Sequence, residues 1–156
     1  MNVRAVDLLP ILLALTGCAA GPYVVPPSAP TARFETIFVG DKAFPNLNVG
    51  IFSFDSASCG DPRWIAFMNN FKPEGQGPFK RDIAADVPLF ASARVNWGSY
   101  YCYVPFSLRP EVGQHYRILV FGGQWQCSAR VEQLMSDKST WRPLPNMSAG
   151  DHKCRH

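Results

Sequence analysis

Ionisable side chains that could act as general acids or bases are scattered through the sequence. The candidate acids stand mostly in turn-like contexts, where carboxylates commonly cap a helix or face water: Asp55, Asp61, Asp82, Asp86 and Glu111. His115 follows Glu111 across a turn, so these two side chains could approach each other. The sequence has no Gly-x-Ser-x-Gly elbow, no His-Glu-x-x-His pair and no phosphate-binding glycine loop. We therefore expect no catalytic residues, no enzyme activity and no cofactor.

Aromatic side chains around Cys102 are the candidates for binding. Tyr101 and Tyr103 flank Cys102 and, in an extended strand, point to the face opposite it, while Trp97 precedes them. Tyrosine and tryptophan suit interfaces because each combines a large apolar ring with a polar tip. We name Trp97, Tyr101 and Tyr103 as candidate contacts to a partner or a glycan. The alternative is that these rings only cover the second face of a twisted sheet.

The first 17 residues have the pattern of a targeting segment. An apolar stretch from Leu8 to Leu15 follows Arg4, and it is much shorter than the roughly 20 residues that cross a bilayer as a helix. It ends in Leu15-Thr16-Gly17-Cys18, which resembles the bacterial lipobox. This resemblance implies a signal peptide over residues 1–17, cleavage before Cys18, diacylglycerol on its thiol and an acylated amine. An ordinary signal peptide followed by a coincidental cysteine is the alternative.

The residues after Cys18 predict where the protein is held. Ala19 follows the cysteine where a retention signal would have Asp, and by resemblance to enterobacterial sorting this favours the outer membrane. Residues 19–32 are rich in proline, which predicts an extended tether with a reach of roughly 40 Å. We thus expect a lipidated Cys18 and a tether over residues 18–32. One domain with an irregular C-terminal tail follows over residues 33–156.

Four cysteines remain once Cys18 is assigned to lipid, and an even number in an exported chain predicts two disulfides. Cys102 and Cys127 fall at inward-facing strand positions, Cys59 in a loop and Cys154 in the tail, which favours Cys102–Cys127 with Cys59–Cys154. If Cys102 and Cys127 were two strands apart in one flat sheet, their Cα atoms would be near 10 Å apart, whereas the Cα atoms of a disulfide are at most about 7 Å apart. Their pairing therefore requires opposite sheets or a shuffled strand order. The rival pairing is Cys59–Cys102 with Cys127–Cys154.

The C-terminal tail contains residue types that bind zinc or copper, namely His152, Cys154 and His156. These residues lack a second cluster of ligands and lie among basic side chains. We expect a tail held by a disulfide and no metal site.

The elements that must position these residues are mostly strands, because apolar and polar side chains alternate. The alternation predicts strands over residues 34–39, 47–54, 83–87 and 90–95, the third of them at a sheet edge. It is clearest between Tyr100 and Glu132, where we predict three successive antiparallel strands. Turn residues at 110–113 and at Gly122-Gly123 separate these three strands.

One segment is ambiguous between helix and strand. Asp61-Pro62 could cap a helix whose apolar stripe contains Trp64, Phe67, Met68 and Phe71, and these local signals favour a short helix. Many short strands and frequent proline and glycine turns predict a mainly β protein. The predicted fold is an antiparallel two-sheet β-sandwich, transthyretin- or immunoglobulin-like, with at most one short helix.

Composition sets further bounds on function. The chain has 156 residues, 47% of them hydrophobic, and a formal net charge of +3, which fits one globular domain. The charge excess is too small for nucleic-acid binding, and no run of lysine or arginine supports it.

The run from Cys102 to Tyr116, followed by Cys127 to Val131, resembles a group of small, mostly uncharacterised Gram-negative envelope lipoproteins. The resemblance implies a compact β-sandwich behind a lipobox, anchored by lipid in the outer membrane and facing the periplasm, and it implies no activity. The leading hypothesis is a non-enzymatic lipoprotein whose domain docks a periplasmic protein or a cell-wall component, with a type VI secretion lipoprotein as a more specific version. The alternatives are a periplasmic inhibitor of an enzyme such as lysozyme, and an unrecognised small enzyme.

Overall fold

Alternating apolar and polar side chains produce strands throughout the part of the chain that the computed structural model describes, residues 20–40, 47–71, 78–122 and 127–144. Within these ranges there is no helix, and so none that could cross a membrane. The ten strands are β1 Gly21–Pro22, β2 Thr31–Gly40, β3 Leu47–Phe54, β4 Arg63–Phe71, β5 Phe79–Ala84, β6 Leu89–Trp97, β7 Tyr100–Leu108, β8 His115–Gly122, β9 Cys127–Leu134 and β10 Trp141–Pro143.

The strands form two packed five-stranded sheets, which confirms the predicted β-sandwich. Sheet A has the order β1-β4-β3-β6-β7, and sheet B has the order β10-β9-β8-β2-β5. Most neighbouring strands are antiparallel, but β1 pairs in parallel with β4, and β2 pairs in parallel with β8. The predicted strand at residues 83–87 begins earlier, at Phe79, and ends at Ala84, and it does lie at the edge of sheet B.

The core lies between the sheets and contains the inward-facing half of each alternating strand. Sheet A contributes fully buried side chains from β3, β6 and β7, and sheet B contributes them from β2, β8 and β9. The largest of these side chains are Phe34, Leu47, Ile51, Phe106 and Ile118. Phe106 is flanked at alternate positions by Val104 and Leu108, which pack against the core as the alternation predicts.

The two ends of the sandwich carry different connections. The strand register places Gly21 beside Arg63, Arg63 beside Ser53, and Leu89 beside Leu108 at one end, which we call the N-terminal pole. Connections 55–62, 85–88 and 109–114 lie at this pole. The opposite end, which we call the distal pole, contains the turn from Trp97 to Tyr100 and the ends of β2 and β8. Strands of about eight residues separate the poles by roughly 26 Å.

The predicted helix at residues 61–71 is wrong, because this segment is strand β4. Ile65 and Ala66 are both buried next to a register shift, whereas Phe67 is 44% exposed, so the apolar residues do not share one helical face. Asp61 has a φ of 40° and pairs with Arg63 at 2.7 Å, and so it is not a helix cap. Pairing with the apolar strand β3 overrides the local helical signals.

The structure also corrects the predicted tether over residues 19–32. Gly21 and Pro22 pair with β4, and the backbone amide of Tyr23 donates to the carbonyl of Trp64 at 2.9 Å. The Tyr23 hydroxyl accepts a hydrogen bond from the amide of Ala84, at the edge of the other sheet. Strand β2 begins at Thr31, with Ala32 buried. This proline-rich segment therefore contacts the domain at residues 21–23 and again at Pro30, whose carbonyl accepts from the amide of Ala85, while Val24 and residues 26–28 between them are exposed.

The disulfide between Cys102 and Cys127 joins the two sheets. Cys102 lies on β7, the edge of sheet A, and Cys127 lies on β9 in sheet B, with their Cα atoms 6.0 Å apart. The pairing is thus confirmed, by the route that requires opposite sheets, and the rival pairing of Cys59 with Cys102 is wrong. Cys59 is itself disulfide-bonded. Its predicted partner, Cys154, lies outside the described residues.

Candidate functional site

The outer face of sheet A carries the candidate site. Strand register aligns Phe67 with Gly50, Gly50 with Arg94, and Arg94 with Tyr103, so that one row crosses β4, β3, β6 and β7. Neighbouring strands are about 4.8 Å apart, and the row is therefore roughly 14 Å long. We call the side chains in and beside this row the sheet A platform; they are Phe52, Phe67, Arg94, Tyr101 and Tyr103.

At one end of the platform, an arginine lies against two tyrosines. The rings of Tyr101 and Tyr103 are nearly parallel, with centroids 6.4 Å apart, as side chains two residues apart on one strand face can be. The Arg94 guanidinium carbon lies 5.1 Å from the Tyr101 ring centroid and 5.7 Å from that of Tyr103, within cation–π distance. Tyr101 remains 49% exposed. This end thus presents a held positive charge beside an accessible ring.

At the other end, two phenylalanines close over a glycine. The rings of Phe52 and Phe67 meet edge to face, with centroids 6.0 Å apart. A Cβ atom on Gly50 would lie 2.9 Å from each ring, so glycine is what allows the rings to lie close to the sheet. Phe67 remains 44% exposed, which leaves apolar surface on the platform.

Two of the three predicted binding residues belong to this platform, Tyr101 and Tyr103. Trp97 ends β6 at the distal pole with its Cα paired to Tyr100, and its side chain lies outside what the structure describes. Sequence reasoning missed Phe52, Phe67 and Arg94. The alternation in residues 49–54 separates Phe52 from the face of Val49 and Ile51 without showing which face is outward, and the helical interpretation of residues 61–71 concealed the strand that brings Phe67 beside Phe52.

The outer face of sheet B has a charged network that holds β10. Glu132 is buried, and its carboxylate accepts from Arg117 Nε at 2.5 Å and from Arg130 Nε at 2.9 Å. The Arg117 guanidinium carbon lies 4.2 Å from the Trp141 ring centroid. A buried carboxylate with two arginine partners has its charge compensated, and the arginine stacks under the last strand. We therefore assign this charged network the structural role of holding β10 on sheet B.

A cleft of about 600 Å³ lies at the N-terminal pole of sheet B, lined in part by Arg33, Asp82, His115 and Lys138. His115 Nε2 lies 3.5 Å from Glu35 Oε2, and its ring meets the Trp141 ring edge-on. Burial lowers the pKa of His115 below 6.5, although the carboxylate of Glu35 opposes this effect. Among the described residues, His115 Nε2 has no hydrogen-bond partner of ordinary geometry, and the carboxylate of Glu35 at 3.5 Å is the charge that faces it.

Of the acids named from the sequence, Asp82 lines this cleft together with His115, whereas Glu111, Asp55 and Asp86 have other surroundings. Glu111 is exposed. Its backbone amide donates a hydrogen bond to the Tyr116 hydroxyl at 3.0 Å. Asp55 accepts from Ser56 Oγ, and Asp86 adopts a φ of 62° in a tight turn. The interaction of His115 with Glu35 replaces the predicted approach to Glu111.

Several predicted sites lie outside the described residues, namely the signal peptide, Cys18, and the tail with His152, Cys154 and His156. Across the described ranges, no group of three His, Cys, Asp or Glu side chains could hold a metal ion. Comparison of the chain with protein-family models, curated proteins and solved structures finds no match.

Proposed function

We propose that this protein is a lipid-anchored envelope lipoprotein whose β-sandwich docks a periplasmic protein or a cell-wall component through the sheet A platform. Two features support the proposal: the lipobox-like Leu15-Thr16-Gly17-Cys18 and the aromatic outer face of sheet A. The family resemblance described above agrees with the first of these features. Gram-negative outer-membrane attachment, facing the periplasm, follows from the same resemblance.

The observation that carries the docking role is the side-chain composition of the platform. Tyrosine and arginine are the residue types most enriched at the energetic centres of protein interfaces, because they bury large areas and keep a polar group for orientation. Here the Arg94 guanidinium already lies against the two rings, so part of its conformational freedom is lost before binding. An acidic or aromatic group on a protein partner fits this end, and Phe67 offers the apolar contact beside it.

Capture from detergent-solubilised envelopes tests the docking role when platform variants are compared. We expect the intact protein to recover a reproducible partner and the double variant Tyr101→Ser/Tyr103→Ser to lose it. The matched control is Val39→Ser/Phe121→Ser, because both side chains are partly exposed on the outer face of sheet B. The identified partner is then titrated in purified form, where loss of a hot spot of about 2 kcal/mol weakens binding about 30-fold. Equal binding by both double variants contradicts the proposal.

A sedimentation assay with purified cell-wall polymer distinguishes the second kind of partner. Polymer that retains the control variant but not the platform variant would assign the platform to the cell wall. If neither envelope proteins nor polymer bind in a way that depends on Tyr101 and Tyr103, the docking role is refuted.

The anchor has its own test by intact-mass spectrometry of the membrane-extracted protein. We expect a chain that begins at Cys18 and carries the mass of a diacylglycerol and an additional acyl group. The Cys18→Ala variant should be neither cleaved at this position nor acylated. An unmodified thiol at Cys18 in the mature protein would refute the anchor without affecting the platform.

A further inference from the structure

We propose that the N-terminal pole of the sandwich rests on the lipid surface, with the connections at Val87 and Val112 in contact with the bilayer. This inference rests on the lipid anchor of the proposed function. It adds an orientation, because a chain anchored through a long tether would have no preferred face toward the membrane.

The first step concerns the length of free chain between the lipid and the fold. Gly21 is already paired with Arg63, so only residues 19 and 20 separate it from Cys18. A fully extended chain spans at most about 3.6 Å per residue, which limits the distance between the Cα atoms of Cys18 and Gly21 to about 11 Å. The free tether between the lipid and the fold is therefore several times shorter than the roughly 40 Å expected from the sequence. Gly21 must lie close to the headgroups.

The second step concerns which part of the domain Gly21 belongs to. Gly21 and Arg63 lie at the N-terminal pole, where the connections 55–62, 85–88 and 109–114 also lie. Because β1 runs parallel to β4, the chain passes from this pole toward the distal pole as it leaves Cys18. The N-terminal pole is therefore the part of the sandwich nearest the anchor.

The third step concerns the surface that this pole presents. Val87 is 50% exposed between β5 and β6, and Val112 is 55% exposed in the turn between β7 and β8. Single exposed valines are ordinary on protein surfaces. Val87 and Val112 lie on two connections of the anchored pole and provide apolar side chains where the lipid surface must be.

The connections that carry these valines are braced against one another. The amide of Asp86 donates to the carbonyl of Pro110 at 2.7 Å, and the amide of Gly113 donates to the carbonyl of Thr31 at 2.8 Å. The nearby charges are mixed, with Asp86 and Glu111 beside Arg109, so the contact depends on apolar side chains and the anchor rather than on attraction to anionic lipid.

The test places the lipidated full-length mature protein, one molecule per nanodisc, in lipid that carries a headgroup spin label. Valine methyl groups are isotopically labelled and observed by NMR. We expect the methyl signals of Val87 and Val112 to lose most of their intensity. Those of Val39 should keep theirs, because Val39 is 42% exposed at the distal pole, roughly 26 Å away along β2.

A paired variant shows whether the valines make the contact. Val87→Asn/Val112→Asn should reduce the loss of amide signal at neighbouring residues 86 and 111, whereas Val39→Asn should not change it. Both changes fall on exposed positions, and the dispersion of the NMR spectrum verifies that each variant is folded.

The outcomes separate the orientation from the anchor. Equal signal loss at Val39 and Val112, or none at either, in a protein whose mass shows lipid on Cys18 overturns the orientation and leaves the anchor intact. Signal changes at Val112 that appear only when nanodiscs are loaded with two copies of the protein would assign this surface to a second copy and also overturn it. A mature protein without lipid on Cys18 refutes the anchor, and this inference with it.

Discussion

Loss of the disulfide between Cys102 and Cys127 should destabilise the domain by several kcal/mol. The bond closes a loop with a sequence separation of 25, and the chain-entropy relation for a loop of this length gives about 3.5 kcal/mol at 25 °C. The bond also cross-links an edge strand of sheet A to sheet B, so its removal leaves β7 and β9 joined only through the intervening chain. We therefore expect Cys102→Ala/Cys127→Ala to unfold at a much lower urea concentration.

Urea denaturation of residues 19–156, followed by circular dichroism, measures this loss. With a slope of about 1.5 kcal/mol per molar urea, the midpoint should fall by about 2 M. A second variant, Cys102→Val/Cys127→Val, refills the space left by the sulfur atoms, since both positions face inward. If the entropic reasoning holds, both variants lose a similar amount. A loss below about 1 kcal/mol, or full recovery with valine, would show that the bond acts through packing and would refute the reasoning.

Three further outcomes follow from buried or closely packed groups. Tyr116→Phe leaves the amide of Glu111 without its hydroxyl acceptor, so the free energy of unfolding should fall by about 1 to 2 kcal/mol in urea titrations. Burial lowers the pKa of His115 in the folded state, so the unfolded chain binds more protons than the folded one just below pH 6.5. The free energy of unfolding should therefore decrease as the pH falls through that range. In urea titrations at several pH values, His115→Gln should remove this decrease. Gly50→Ala should displace the rings of Phe52 and Phe67 and lower the free energy of unfolding by about 1 to 3 kcal/mol, as measured by thermal unfolding. An unchanged stability would show that the two rings can move aside without cost.

The β-sandwich was predictable because its strands alternate cleanly. Cys102 and Phe106 share the inward face of β7, as their spacing by even numbers of residues requires, and Tyr101 and Tyr103 share the outer face. The same alternation placed Cys127 inward, and a distance argument then allowed its pairing with Cys102 only across opposite sheets or with a shuffled strand order. Local pattern and elementary geometry thus limited the arrangement of this part of the fold, and the structure shows the first of the two.

The remaining features depend on partners that are distant in sequence. The segment around Ile65 has helical spacing, and only the β3 edge beside it makes a strand the better choice. Tyr23 follows a proline that indicates extended chain, but nothing local shows that its hydroxyl reaches Ala84. Arg94 belongs to the platform because cross-strand register places it beside Tyr103, and this register cannot be derived from the sequence pattern.

The parallel pairing of β2 with β8 has a consequence for the order in which this chain can acquire its structure. Strand β2, with the large apolar side chain of Phe34, is among the first described segments to emerge as the chain is made from its N-terminus, but its neighbour β8 begins only at His115. Until that late segment arrives, β2 offers unpaired backbone groups and apolar surface, conditions that favour aggregation and slow folding. Under the export route of the proposed function, the newly translocated chain should therefore depend on a periplasmic holding chaperone until its C-terminal half has crossed.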